Sequence, residues 1–526
     1  MIRTVNSREI AIVARLTELL VDQTPWQRTL WSVGTVFAID ELLDAVTAMD
    51  AGTLSEGSVQ RMIASCKRLF GKDPVLSKQE KSTLAELLRH TPRAGGLAFH
   101  GCREIRNVVA RDYLTRYQQR LATGTPATLE SVERVSRSIA AHLLDSGLSQ
   151  QYLEHWIREK TSDTTPEMSL GELCEAGQAI VDAPQSQFEI LVAFKNAPSS
   201  ASGYPPGWLS SQELVRWLRR EGFPTTEVRA SGGLVLAVEA KDAHAAIDAA
   251  ISLVDGYCAR SAVASRRPLE VWPTVWVKNV VAPFPYIRRN RGVQVRALYR
   301  EDQIFLSSPT SNVDAAIELL AHLQISSPPA AVAGGWAAIE SVLAEQGGER
   351  SAAADNLGAL VACSIPRAEL TYLSHQIERS CSEHKVALAA CASNRDRAGY
   401  VARLIQSQPN FTLARNVEEC AVQRLRRLFS APGPYLHSLQ QSAADAFHRL
   451  YRQRNLILHA GNTRSIALAP ALRTVSRIAG AGMDRVAHGY YVQRLGPIEL
   501  VARANVAMEL ITPGDAEECL DLLGRW

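Results

Sequence analysis

No run of apolar residues in this 526-residue sequence approaches the roughly 18–20 needed to cross a bilayer. A helical membrane span is therefore not expected. The opening stretch, MIRTVNSREIAIVARLTELL, is charged and reads as a helix. It lacks the apolar core and small-residue cleavage site of a secretion signal. The nine cysteines, at positions 66, 102, 174, 258, 363, 381, 391, 420 and 519, form no Cys-x-x-Cys pair and no Cys/His spacing typical of zinc. An odd, dispersed set argues for reduced thiols and a cytoplasmic protein. No G-x(4)-G-K-S/T cradle for phosphates appears, and no G-x-G-x-x-G follows a strand, which argues against an NTP-driven activity. No repeat of fixed period is present, and the net charge of +3 says little for the chain as a whole.

What is present is an ordinary globular composition, 46% hydrophobic and 21% charged. The length predicts two to four domains, and the apolar periodicity predicts a mainly α protein. Residues 1–185 read as a helical domain with frequent breaks, a bundle and not a coiled coil. Residues 186–326 read as a small α+β module. Its expected strands are Phe188–Phe194, Gly233–Glu239, Val271–Val277, Val293–Tyr299 and Gln303–Leu306. Ser210 with Glu213, and Asp242, are expected to open its helices. Ser326-Ser327-Pro328-Pro329 is the clearest linker, and residues 327–526 read as a second helical domain. Charge is unevenly spread. From Phe411 to Arg494 there are twelve arginines, no lysine and four acidic residues. Such an excess suits either phosphate contact or a solvated helix face.

The stretch of most chemical interest is Ala443–Gly461, AADAFHRLYRQRNLILHAG. Phe447, Leu450, Ile457 and Leu458 fall on one side of a helix, and Arg454 falls inside that stripe. A guanidinium there requires a partner or a bound anion. Asn455 and His459 share a neighbouring face at i,i+4, with Tyr451 one turn earlier. Gly461 marks the helix end. No metal-ligating carboxylate lies nearby in sequence. Arginine holds phosphate and offsets charge developing on it, and histidine exchanges a proton near neutral pH. Together they suit attack of an RNA 2′-OH on the adjacent phosphorus, leaving a cyclic phosphate and requiring no cofactor. DNA lacks that hydroxyl.

R-N-x-x-x-H, preceded by LYRQ and followed by AG, resembles the R-x(4–6)-H motif of the HEPN superfamily, within its Apea-like branch. Gly335-Trp336-Ala-Ala-Ile-Glu340 resembles that branch's W-x-x-x-E pattern. The resemblance covers about residues 330–526. It implies a helical bundle and a metal-independent endoribonuclease acting on tRNA, rRNA or mRNA. It also implies a homodimer whose two motifs meet in one cleft, in an antiphage or toxin-like setting with a possible regulatory protein or phage trigger. Carried over, Arg454 and His459 are the catalytic pair and Asn455 supports them, with Glu340 and Tyr451 as further supporting residues.

Three other Arg/His strings, Arg93–His100, Arg137–His142 and Arg379–His384, have surroundings unlike the family and read as coincidences. For RNA contact the candidates are Arg452 and the basic connector Arg288, Arg289 and Arg291, which lies among Trp272, Trp276, Phe284 and Tyr299. Arg103–Arg120, with Tyr113 and Tyr117, reads as a nucleic-acid strip or as a solvated face. The competing functional readings are a HEPN-like scaffold that dimerises or binds without cleaving, a structural role for Arg454 paired with Glu340, and an acceptor for a nucleotidyltransferase.

Overall fold

Apolar residues recur at three- and four-residue spacing through most of the chain, so helices dominate. The computed structural model describes residues 7–123, 131–161, 169–198, 203–226, 228–286, 290–306, 308, 310–345 and 347–525. Among them are twenty-one α-helices and one five-stranded antiparallel sheet, so the protein is mainly α. No helix among the described residues is long and apolar enough to cross a membrane.

The chain divides into two compact units. The larger comprises Met1–His142, Lys160–Glu175 and Arg291–Trp526; the smaller comprises Leu143–Glu159 and Ala176–Asn290. This differs from the expected division at 185/186 and 326/327. The N-terminal helices and the C-terminal bundle form one unit because each holds charges that the other neutralises. Arg28 Nη1 and Nε donate to Glu18 and Glu369 at 2.9 and 2.8 Å, and Arg424 lies 3.3 Å from Glu369 and 3.5 Å from Glu133. Ser326–Pro329 is no linker either. It is the corner between helices Asn312–Ile325 and Pro328–Leu343, with Pro328 in the first turn, where its missing N–H costs nothing.

The smaller unit carries the sheet: β1 (Ser186–Phe194), β2 (Trp208–Ser210), β3 (Gly232–Ala240), β4 (Val271–Val277) and β5 (Phe284–Pro285), in the order β2-β3-β1-β4-β5. β1 is central. Its Ile190, Val192 and Phe194 pack in one core with helix Ala243–Ala264, and Leu191 and Ala193 in another with helix Ser211–Arg220. Burial on both faces explains the unbroken apolar run of β1. The Ser210/Glu213 capping box and the Asp242 cap both form, the latter accepting from Ala245 N–H at 2.9 Å. The strands expected at Val293–Tyr299 and Gln303–Leu306 do not form. There the backbone bonds side chains, with Val293 N–H on Gln324 Oε1 at 2.7 Å and Ala297 N–H on Asp484 Oδ1 at 2.6 Å.

In the larger unit, the helix Pro432–Ala460, here the motif helix, packs along the 29-residue helix Ala352–Ser380. The latter continues through Pro366. A proline inside a helix costs about 3 kcal/mol. Complete burial of Leu357, Leu360, Val361, Leu370 and Leu373 offsets it. Gly358 lets the two helices approach, since a Cβ there would lie 3.0 Å from Gln440 O.

Candidate active site on the motif helix

At about 100° per residue the motif helix has distinct longitudinal strips. Ala443, Ala446, Phe447 and Leu450 form one, fully buried in the main core. Arg449, Arg452 and Leu456 lie roughly opposite and are also buried. Between them, Tyr451, Arg454 and Asn455 are half-buried, and Leu458 and His459 are exposed. The residues singled out as catalytic are thus none of them fully buried, although they span about 140° of the helix surface. Leu458 was expected to face the core, but at 54% exposure it does not, because the last turn runs past the neighbouring helices.

Arg454 Nη1 donates to Asn455 Oδ1 at 3.0 Å. Arg454 and His459 are five residues apart, about 140° around the helix, so straight side chains would diverge. The bond to Asn455 turns the guanidinium toward the face that Asn455 shares with His459. Among the described residues, Arg454 has no carboxylate within ion-pair distance, and His459 has no hydrogen-bond partner. The helix stops where expected: Gly461 takes a left-handed φ of 61°, and the N–H groups of Gly461 and Asn462 return to the carbonyls of Ile457 and Leu456.

The upstream pattern lies beside the same strip. Trp336 is fully buried and its ring centroid is 4.8 Å from that of Tyr451. Its Nε1–H donates to Glu340 Oε2 at 2.6 Å, and Glu340 lies 3.4 Å from Arg350. Glu340 therefore orients the indole and does not pair with Arg454. Next to Tyr451 along the strip, His448 Nε2 and Asp355 Oδ1 are 3.1 Å apart.

Several candidates elsewhere prove structural. Arg452 is 5% exposed and donates to Glu41 Oε1 at 2.9 Å, so it is not available to RNA. Arg291 donates to the carbonyls of Leu323 and Ser326 at 3.1 and 2.8 Å, closing the helix Asn312–Ile325. Arg288 and Arg289 lie outside the described residues. In the Arg103–Arg120 stretch Tyr113 and Tyr117 are buried, Arg106 pairs with Asp40, and Arg116 with Glu80 and Asp112. The two tyrosines are therefore not open to stack on bases, while Arg103, Arg111 and Arg120 lie on an exposed face.

The coincidental Arg/His strings are likewise accounted for. Arg137 pairs with Glu133. His142 stacks on Tyr113, and burial lowers its pKa to about 4. Arg93 pairs with Asp50, and His384 Nδ1 lies 3.0 Å from the Tyr400 hydroxyl. Much of the arginine excess from Phe411 to Arg494 is spent internally. Arg424, Arg449, Arg452 and Arg477 all meet groups of the N-terminal helices.

Glu41 is the residue that sequence reasoning missed. It lies on helix Thr35–Asp50, is 3% exposed, and accepts from Arg449 Nε and Arg452 Nη2 at 2.9 Å each. Burial pushes its carboxyl up, and the two guanidiniums outweigh that and hold it below the usual carboxylate range. A glutamate four hundred residues from the motif carries no local signal. Among the described residues, no group of three or more His, Cys, Asp or Glu side chains could hold a metal ion. No family model, curated protein or solved structure matches this chain.

Proposed function

We propose that the chain is a HEPN-like, metal-independent endoribonuclease in which Arg454 binds and stabilises the scissile phosphate and His459 moves the proton. One observation carries this reading: near the end of a helix that sends Phe447, Leu450, Arg449 and Arg452 into the interior, Arg454 and Asn455 stay half-buried and His459 exposed, and the guanidinium is committed to no carboxylate. A positive charge so placed is free to meet a phosphate. The reaction balances without a further reactant. The ribose 2′-oxygen loses its proton to a base and bonds to phosphorus, the P–O5′ bond breaks, and the leaving 5′-oxygen takes a proton. His459 serves one of these two transfers, and Asn455 orients the guanidinium. One histidine cannot serve both transfers at once, so a homodimer placing two strips face to face is part of the proposal. An antiphage or toxin-like setting goes with it on the resemblance alone, and the cytoplasm on the dispersed cysteines.

The test is incubation of the purified chain with tRNA and rRNA in EDTA. Cleavage is expected, and loss of it in both Arg454→Ala and His459→Ala. Intact RNA, with a dimer that dissociates in the same variants, would instead select the scaffold reading.

A further inference from the structure

The motif helix is gripped by the N-terminal half of the chain at several points. Arg68 Nη2 donates to Asp445 at 2.9 Å. Glu41 takes Arg449 and Arg452. Beyond the helix end, Ser465 Oγ donates to Asp44 Oδ2 at 3.4 Å. Glu41 and Asp44 sit one turn apart on helix Thr35–Asp50, so this single helix holds the chain on both sides of Arg454–His459. The Glu41 contact has the strongest geometry. All three side chains are buried, both arginines reach one carboxylate, and the nearer arginine is two residues from Arg454. By contrast, nothing on the open strip fixes its last turn, because Leu458 and His459 are exposed there.

We propose that Glu41 is a positioning residue for the Arg454–His459 centre: through Arg449 and Arg452 it fixes the rotation and height of the last turns of the motif helix. This rests on the nuclease reading for its consequence, though not for its mechanics. A helix turned by a small angle swings an arginine tip by ångströms, and misplacement of about 1 Å costs on the order of 100-fold in rate. The N-terminal half thereby becomes part of the catalytic apparatus, and a partner that displaced helix Thr35–Asp50 would switch the centre off without touching it.

The test uses the full chain as wild type, as Glu41→Gln, and as a triple variant with Glu41, Arg449 and Arg452 all replaced by Met. Exchanging a whole buried ion cluster for apolar residues of similar volume tends to keep or raise stability. The triple variant therefore separates positioning from folding. Hydrogen–deuterium exchange is followed over residues 455–460 and, as a remote control, over helix Asn394–Ser407. The expected result in the triple variant is exchange over 455–460 about tenfold faster, with the control unchanged. RNA turnover is expected to fall on the order of 10–100-fold in both variants, with RNA affinity within about twofold. A triple variant that cleaves RNA like wild type overturns the proposal, whether or not exchange changes. Exchange needs no RNA, so a wild type that fails to cleave sinks the nuclease reading, while unchanged exchange over 455–460 sinks the Glu41 role separately.

Discussion

At the scale of single residues, Arg454 and His459 are unusual in what they do not support. Neither anchors a carboxylate, and His459 lies in solvent, so their loss should leave the fold intact. Arg454→Ala and His459→Ala are each expected to lower RNA turnover by about 10²–10⁴-fold. Melting temperature should move by no more than about 2 °C, as for surface substitutions generally. Turnover and thermal melting of the same preparations check this. A drop in both would mark the pair as structural. The cysteines give a second residue-scale expectation. No disulfide links any of the nine. Burial pushes the thiols of Cys66, Cys174 and Cys519 up to about 12 and Cys102 to about 11, so they stay protonated and hidden. Cys258, Cys381 and Cys391 are only half-buried. Alkylation of the native protein at pH 8, read by peptide mass, should label these three first.

At the scale of elements, the motif helix was legible and its setting was not. Its apolar spacing, the glycine stop and the i,i+4 pair of Asn455 and His459 are local, and the structure carries all three. The Trp336–Glu340 pair was legible as a pattern, and its contact with Tyr451 gives the pattern a physical purpose. Two features were misjudged for physical reasons. Leu458 fits the apolar period, yet the helix outlasts its neighbours. The strand pattern of Val293–Tyr299 fits a sheet edge, yet its Val293 and Ala297 N–H groups bond the side chains of Gln324 and Asp484. Deleting the indole should show how far the W-x-x-x-E pattern supports the fold: Trp336→Ala is expected to cost about 3–5 kcal/mol, measured by denaturant unfolding. Trp336→Phe should cost less and leave Glu340 without its donor. The strand expected at Val293–Tyr299 failed because its backbone groups found side-chain partners that no local window reveals, and Gln303–Leu306 instead turns, with the N–H groups of Gln303 and Leu306 on the carbonyls of Leu298 and Gln303.

At the scale of the whole molecule, the surprise is where the arginines go. Composition alone suited either phosphate contact or a solvated helix face between Phe411 and Arg494. The larger unit instead uses several of those arginines to fasten its N-terminal helices. Glu41 and Glu369 are buried and Glu133 is half-buried; desolvation raises a carboxyl, but neighbouring guanidiniums outweigh it and hold all three below the ordinary value of 4.5. Their stabilisation is therefore complete above pH 4.5 and lost as pH falls through the depressed values. The melting temperature should be flat from neutral pH to about 5 and fall steeply below it. Circular dichroism melts across that range check the sign. Removing the N-terminal half altogether should be worse. A fragment of residues 327–526 would expose or strand Arg424, Arg449 and Arg452, and losing one partner of a buried pair costs about 3–5 kcal/mol. That fragment is expected to lack a cooperative melt. A cooperative one would restore the independent C-terminal domain that the sequence suggested.

The chemistry itself is tested most directly by the ends it leaves. Full-length protein is incubated in EDTA with an RNA and with the same RNA 2′-O-methylated throughout, and the products are weighed by mass spectrometry. The account predicts fragments ending in 2′,3′-cyclic phosphate from the first and none from the second. Cleavage of the methylated strand, or 5′-phosphate ends from the unmodified one, would contradict it.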